Sequence, residues 1–128
     1  MSATPKDILT LANAAVVRGD HEGFLAFCTD DTEWIFLGDR TLRGKQAVRQ
    51  WMADSYKAAP PRLRVHRMVV EGDFLTAVGD IVLTDVNGQQ TRHAYCDVWR
   101  LREGKLAVLH AFVVETDEDI SALASDGP

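Results

Sequence analysis

Residues 95–106 read YCDVWRLREGKL, and this segment decides the fold. Aromatic and β-branched residues surround one carboxylate, Asp97, and a Glu-Gly pair then leads into the almost wholly apolar run LAVLHAFVV at residues 106–114. This pattern predicts two antiparallel strands joined by a tight turn. Because a packed core does not tolerate an unpaired carboxylate, we expect Asp97 to face a cavity that holds a small molecule.

The composition is typical of a globular protein. The 128 residues are 46% hydrophobic and 26% charged, which fits a single domain over residues 1–128. We expect residues 1–3 and 118–128, at the two ends, to be poorly ordered. The net charge of −5 argues against nucleic acid as a partner, because affinity for phosphates comes mainly from cations.

Membrane, secretory and metal signals are missing from the sequence. No apolar run reaches the roughly 18 residues needed to span a bilayer, and the N-terminus lacks the layout of a secretory signal. Cys28 and Cys96 are far apart and form no metal-ligand spacing. We therefore expect a cytoplasmic protein that uses no metal or other cofactor and has no membrane partner.

Three helices are predicted in the first half of the chain. Thr4 caps the first helix and Gly19 ends it. Asp20 caps a short second helix. Gly44 opens a third helix, which ends before the two prolines at residues 60–61 because proline cannot continue the hydrogen-bond ladder.

Strands are predicted over residues 32–37 and from residue 62 onward. The pairs GD at residues 72–73 and NG at residues 87–88 are typical of two-residue hairpin turns. Helices gathered on one side of such a meander make an α+β domain. The predicted architecture is a conical barrel, in which a curved antiparallel or mixed sheet wraps around the N-terminal helices and leaves a pocket at its open end.

Strand pairing predicts which side chains share that pocket. If residues 87–88 form a two-residue loop, the register places Val78 opposite Asp97 and Asp80 opposite Tyr95. Side chains alternate between the two faces of a strand. The face predicted to share the pocket comprises Val78, Asp80, Val82, His93, Tyr95, Asp97 and Trp99.

The following turn decides whether His110 joins Asp97. A two-residue loop at residues 103–104 would place them face to face, but its glutamate would need a positive φ, which is unfavourable for a residue with a Cβ. A three-residue loop at residues 102–104 avoids this strain. We therefore predict that Leu109 faces Asp97 and that His110 points to the other side.

Three segments carry a family resemblance: DDTEWIF at residues 30–36, LRGKQAV at residues 42–48 and DVWRLREGKL at residues 97–106. Their order and spacing, with RGD at residues 18–20 between the first two helices, resemble the SnoaL-like polyketide cyclases and ketosteroid isomerases of the nuclear-transport-factor-2-like superfamily. The resemblance implies a cystatin-like conical α+β barrel and a homodimer formed through the outer face of the sheet.

The resemblance also bears on the chemistry. Ketosteroid isomerases place a general-base aspartate where this chain has Phe36, and their hydroxyl donor falls at about Ala12. Only their second acid, which an apolar site keeps protonated, has a counterpart, Asp97. The Arg-x-Asp of related epoxide hydrolases corresponds to VGD at residues 78–80, and their last-strand aspartate to Ala111. We therefore expect neither a true ketosteroid isomerase nor an epoxide hydrolase.

The predicted function is binding of a small, largely apolar carbonyl or hydroxyl compound. Cofactor-independent acid–base chemistry of the isomerase, cyclase or dehydratase type would then run through Asp97, with Asp80 as a second acid. The alternative is a non-catalytic ligand-binding or dimeric accessory domain in which Asp97 is structural. Either Arg67 or His66 could face inward, and an inward Arg67 would pair with a carboxylate and lower its pKa.

The candidate site residues are thus acids, a phenol and a set of aromatic or small apolar walls. The candidate catalytic residues are Asp97, Asp80 and Tyr95. The candidate walls of the substrate pocket are Trp34, Phe36, Trp51, Met52, Tyr56, Val78, Trp99, Leu109 and Ala111.

Overall fold

Three helices and a six-stranded sheet make up the part of the chain that the computed structural model describes, residues 3–124. The predicted α+β class is confirmed. The helices are α1 Pro5–Val17, α2 His21–Leu25 and α3 Lys45–Ser55. The strands are β1 Cys28–Phe36, β2 Arg40–Arg43, β3 Arg62–Glu71, β4 Phe74–Thr84, β5 Gln90–Arg102 and β6 Lys105–Glu115, and a 3-10 turn follows at Ser121–Ala124.

The sheet has the strand order β2-β1-β6-β5-β4-β3. β1 and β6 run parallel, whereas the other neighbours are antiparallel, so the sheet is mixed. β2 and β3 form its two edges, and the sheet is therefore an open cone and not a closed barrel. The helices cover its concave face, where Leu9, Leu25, Met52 and Leu75 are almost fully buried.

The helix ends follow the sequence closely. Thr4 and Asp7 form the two hydrogen bonds of a capping box at the start of α1. Gly19 follows the helix with a φ of 78°, a left-handed conformation that glycine adopts without strain. Asp20 caps α2 by accepting a hydrogen bond from the Gly23 amide at 2.8 Å. These three predictions are confirmed.

The first two strands differ from prediction. β1 begins at Cys28, four residues before the predicted start at residue 32; in this added segment Cys28 and Thr29 are buried, whereas Asp30 and Asp31 are exposed. The hydroxyl of Thr32 is buried and donates toward the carbonyl oxygens of Leu106 and Ala107 at 3.2 and 3.1 Å. β2, a four-residue edge strand with one apolar residue, was not predicted.

The β4–β5 hairpin corrects the predicted register by one residue. Residues 85–89 form its loop, so Thr84 pairs with Gln90. The Asp85 carboxylate accepts hydrogen bonds from the amides of Asn87 and Gln89 at 2.8 and 2.9 Å, which stabilises this longer loop. The predicted two-residue loop at residues 87–88 was wrong.

Because of this one-residue difference in register, every side chain of β4 lies on the face opposite to the one predicted. Ala77 pairs with Asp97 and Gly79 with Tyr95, while Val78 and Asp80 lie on the outer, convex face. The predicted grouping of Asp80 with Asp97 was therefore wrong.

The β5–β6 turn shows two compensating changes. Its loop has two residues, Glu103 and Gly104, with φ values of 52° and 74°. The predicted three-residue loop was thus wrong, but a bulge at Ala107 supplies the extra residue within β6. Asp97 consequently pairs with Ala111 and not with Leu109, so the predicted pairing was wrong, whereas His110 lies on the outer face, as predicted.

A second bulge, in β3, decides the orientation of His66 and Arg67. Val65 pairs with Gly79 and Arg67 with Val78, which leaves His66 as the extra residue. His66 contacts Asp80 on the outer face at 2.8 Å. Arg67 also lies on this face, so neither side chain enters the concave side of the sheet.

The last described turn, Ser121–Ala124, lies beside β3. The Arg67 side chain donates from Nε to the Leu123 carbonyl at 2.7 Å, which connects the turn Ser121–Ala124 to the sheet. Residues 1–2 and 125–128, parts of the ends expected to be poorly ordered, lie outside the described residues. Between residues 3 and 124, none of the helices has the length and apolar character that a membrane span requires.

Candidate active site

A cavity of about 470 Å³ lies between the concave face of the sheet and the helices. This volume is in the range of small-molecule sites. Side chains named as candidates from the sequence that line it are Trp34, Phe36, Trp51, Tyr56, Tyr95, Asp97, Trp99, Leu109 and Ala111. Further lining side chains are Asn13, Val16, Phe24, Leu37, Asp39, Leu63, Ile81, Leu83, His93, Val113 and Glu115.

Three candidates lie elsewhere. Met52 is fully buried in the core, and Val78 and Asp80 lie on the outer face of β4. Ile81 and Leu83 line the cavity from β4, because the concave face of this strand carries its odd-numbered residues and not the even-numbered ones, such as Val78 and Asp80, that the one-residue register error had placed there. A correct loop length would have found both from the sequence.

Small residues on neighbouring strands create room around Asp97. In the cross-strand row that contains it, Ala77 on β4 and Ala111 on β6 flank the carboxylate, and Phe36 on β1 follows Ala111. Methyl side chains on both sides leave space that larger residues would fill. The cavity therefore lies directly beside Asp97, the one acidic side chain of this row.

An aromatic cluster closes the cavity below that row. Trp34 packs edge-on against Phe24, Trp51 and Trp99 with ring-centroid separations of 5.6, 5.8 and 5.9 Å. Its indole Nε1 is buried and has no hydrogen-bond partner among residues 3–124. The cluster thus offers a ligand flat apolar surfaces and one unused donor.

Asp97 has an environment that favours its protonated form. No donor or cation of residues 3–124 lies within hydrogen-bonding reach of its carboxyl group. Burial therefore acts alone and raises the pKa of Asp97 to about 7. Near neutral pH the group exists in both protonation states, which suits it to accept or donate a proton.

Asp97 contributes to the raised pKa values of two tyrosine side chains. Burial, with the nearby Asp97 carboxylate, raises the pKa of Tyr56 and of Tyr95 well above the ordinary value for tyrosine. Both hydroxyls therefore remain protonated at neutral pH and can donate a hydrogen bond.

Gly79 makes room for Tyr95 on the adjacent strand. A Cβ at Gly79 would lie 2.6 Å from the Tyr95 hydroxyl oxygen and 2.0 Å from the backbone oxygen of Arg64. The absence of a side chain therefore permits both the close approach of β3 and the position of the phenol.

His93 and Glu115 lie at the end of the cavity away from the aromatic cluster. They are cross-strand partners, and His93 Nε2 is 3.8 Å from Glu115 Oε1. This separation is too long for a hydrogen bond. The sequence placed His93 on the correct face of β5, and 18% of its side chain is exposed.

Asp80 forms a separate polar cluster on the outer face. Arg64 binds both carboxylate oxygens, from Nε at 3.1 Å and from a terminal nitrogen at 3.0 Å. His66 and Arg92 contact one oxygen at 2.8 and 3.2 Å. Burial alone would raise the pKa of Asp80, but these hydrogen bonds and charges lower it to about 2. Asp80 is therefore ionised and fully paired.

Within residues 3–124, no group of three or more His, Cys, Asp or Glu side chains is arranged to hold a metal ion.

Comparison with known proteins identifies the family. The SnoaL-like domain model matches residues 10–109, and the chain belongs to this family. No curated protein matches the chain.

Solved structures show the same fold at low identity. The epoxide hydrolase/cyclase-like enzyme SalBIII, which has a role in pyran ring formation in the polyether salinomycin, is 18% identical, with 85% of this chain and 89% of that chain covered and a TM-score of 0.79. TerC, co-crystallised with polyporic acid, is 19% identical, with 84% and 88% covered and a TM-score of 0.75. A putative SnoaL-like polyketide cyclase from Jannaschia sp. CCS1 is 14% identical, with 88% and 90% covered and a TM-score of 0.70.

Proposed function

We propose that the concave cavity binds a small, largely apolar carbonyl or hydroxyl compound, and that Asp97 performs cofactor-independent acid–base chemistry on it. The observation that carries this proposal is the Asp97 carboxyl group, which faces a largely apolar cavity and receives no hydrogen bond or ion pair from residues 3–124 to stabilise its charge. A structural aspartate is normally paired, as Asp80 is.

Enolisation is the chemistry that this site suits best. The Asp97 carboxylate removes a proton from the carbon next to a carbonyl group, and the electron pair moves onto the carbonyl oxygen. The protonated phenols of Tyr56 and Tyr95 can donate hydrogen bonds to this oxyanion. Asp97 then returns the proton to a carbon, which gives an isomer. Alternatively, the enolate carbon attacks a second carbonyl carbon and closes a ring, and the alkoxide formed there takes the proton back from Asp97.

The relatives favour a cyclase-type reaction. SalBIII is described as epoxide hydrolase/cyclase-like, and the Jannaschia protein as a putative polyketide cyclase. Identities of 18% and 14% carry the fold alone, so the reaction of this chain rests on the geometry at Asp97.

Deuterium exchange at a simple ketone tests the proposal. The probe is 2-tetralone, an apolar ketone whose α-hydrogens exchange through the enolate, followed by NMR in deuterium oxide near pH 7. We expect the wild-type protein to accelerate exchange over buffer and Asp97→Asn to lose roughly a hundredfold of that acceleration. Asp54→Asn, the same substitution on the exposed face of α3, serves as the matched control and should exchange at the wild-type rate.

Binding and catalysis separate in the same experiment. Ala111→Leu fills the space beside Asp97 and should abolish binding of 2-tetralone, measured by calorimetry on variants with an unchanged melting temperature. If Asp97→Asn binds the ketone and exchanges it as fast as wild type does, the chain is a ligand-binding domain without catalysis through Asp97.

The outer face of the sheet supports a homodimer. Phe112 and Val114 on β6 are 48% and 62% exposed, beside the partly exposed Cys96 and Val98 on β5. Such an apolar stripe on a flat sheet face is suited to a second copy of the chain. Sedimentation velocity should show a dimer for wild type and a monomer for Phe112→Glu.

Both cysteines are unpaired, which agrees with the proposed cytoplasmic location.

A further inference from the structure

His93 is a polar side chain inside the cavity that the proposed chemistry does not use. It lies on β5 between Ile81 of β4 and Glu115 of β6, and only 18% of its side chain is exposed. Its Nδ1 is buried and has no hydrogen-bond partner among residues 3–124. Its Nε2 is 3.8 Å from Glu115 and forms no hydrogen bond with it either.

A buried imidazole nitrogen without a hydrogen-bond partner is unusual, and Nδ1 of His93 is such an atom among residues 3–124. In either neutral tautomer one nitrogen is a donor and the other an acceptor, and burial without partners costs free energy. Most buried polar groups in folded proteins are satisfied. A ligand in the cavity is the partner that the described residues do not supply.

The position of His93 on the strand sets the span of such a ligand. His93 and Asp97 lie four residues apart on the same face of β5, so their Cα atoms are separated by about 13 Å. Tyr95 lies between them, and the neighbouring side chains Ile81, Leu63 and Val113 are apolar. The two polar groups thus mark opposite ends of a mostly apolar surface.

We infer that His93 is a second ligand-binding residue of the cavity, which holds an oxygen at the end of the ligand remote from Asp97. The ligand class is accordingly an elongated apolar compound with an oxygen function at each end. This inference rests on the proposed function, because it requires that the ligand contact Asp97 at its other end.

Two rigid phenols separate the two ends of the site. Biphenyl-4-ol carries one hydroxyl group, whereas biphenyl-4,4′-diol carries one at each end of the same apolar body. Titration calorimetry at pH 7 should show that wild type binds the diol about tenfold more tightly, the value of one additional hydrogen bond. The diol can bind in two equivalent orientations, so only a preference well above this statistical factor of about two in Kd supports the inference.

Variants then assign the preference to His93. His93→Leu should bind both phenols equally and retain the wild-type Kd for the mono-ol, while His93→Gln, which keeps a donor and an acceptor, should restore part of the preference. Asn13→Ala tests the competing assignment, because Asn13 is another polar side chain that lines the cavity. It should leave the preference intact.

The outcomes distinguish the two proposals. If wild type binds both phenols with equal Kd, or if His93→Leu keeps the preference, the role of His93 is overturned while ligand binding in the cavity stands. If Asn13→Ala abolishes the preference, Asn13 and not His93 holds the distant oxygen. If neither phenol binds and 2-tetralone does not exchange, the proposed function and this inference both fail.

Discussion

Asp97 and Asp80 lie on neighbouring strands of one sheet and face opposite sides of it. The Asp80 side chain is 5% exposed and binds Arg64, His66 and Arg92, whose contacts lower its pKa to about 2. Asp97 lines the cavity and has no such partner among residues 3–124, and burial raises its pKa to about 7. Charged partners, more than burial, therefore decide which carboxylate stays ionised.

The difference separates structural from chemical roles. The Asp80 carboxylate on β4 binds Arg64 and His66 from β3 and Arg92 from β5. It therefore connects three neighbouring strands, which is a structural role. A carboxyl group that titrates near neutral pH inside a cavity destabilises the fold when it is charged, and such a cost is typical of functional sites.

Asp97→Asn should give the largest effect, and the effect should depend on pH. Raising the pKa from 3.8 to about 7 means that the native state must bury a charge above pH 7. That cost is absent below about pH 4, grows as the pH rises toward 7, and reaches about 4 kcal/mol above it. We expect the variant to be more stable than wild type by about 3 kcal/mol at pH 8, since its unpaired amide retains some desolvation cost, and equally stable at pH 4.

Urea unfolding at the two pH values measures this difference. A variant that is no more stable than wild type at pH 8 would show that the Asp97 carboxylate is compensated in the native protein. The proposed contrast between an uncompensated Asp97 and a paired Asp80 would then be incorrect.

Asp80→Asn should act in the opposite direction. Removing the charge leaves Arg64 and Arg92 without their common counter-ion, and we expect a loss of about 3 kcal/mol in the free energy of unfolding at pH 7. Because the folded-state pKa is about 2, below the ordinary 3.8, wild type itself should lose this stabilisation as the pH falls from 4 through 2. Asp54→Asn, on the exposed face of α3, is the control and should change stability by less than about 0.5 kcal/mol.

Much of the fold could be predicted because its signals are local. The Thr4 capping box, the left-handed Gly19 and the Asp20 cap each follow from one residue and its immediate neighbours. The strand face of β5 was also correct, since alternation within one strand needs no knowledge of its partners. His93, Tyr95, Asp97 and Trp99 accordingly share the cavity.

The pairing between strands could not be predicted in the same way. One side-chain contact, from Asp85 to the amides of its own loop, lengthens the β4–β5 turn and moves Asp80 to the outer face. Bulges at His66 and Ala107 shift two further registers. Each is a choice between backbone arrangements of similar free energy, and tertiary packing decides it.

Gly79→Ala should disturb both regions at once. Gly79 precedes Asp80 and pairs with Tyr95, and a Cβ there would lie 2.0 Å from the Arg64 backbone oxygen. We expect β3 to move away, which weakens the Arg64 contact with Asp80, and Tyr95 to shift toward the cavity. Stability should fall by about 2 kcal/mol and 2-tetralone binding should weaken. Unchanged binding would show that the position of Tyr95 does not matter for the ligand.

Glu103→Gly should give the smallest effect and should leave the two carboxylates as they are. Glu103 has a φ of 52°, which costs about 1 kcal/mol for a residue with a Cβ, while glycine loses more freedom on folding. The expected net gain is about 0.5 kcal/mol in urea unfolding. The pKa of Asp97, followed by carbon-13 NMR of its carboxyl group, should stay at about 7, because the bulge at Ala107 sets the pairing with Ala111. A changed pKa would mean that strain in the turn determines the surroundings of Asp97.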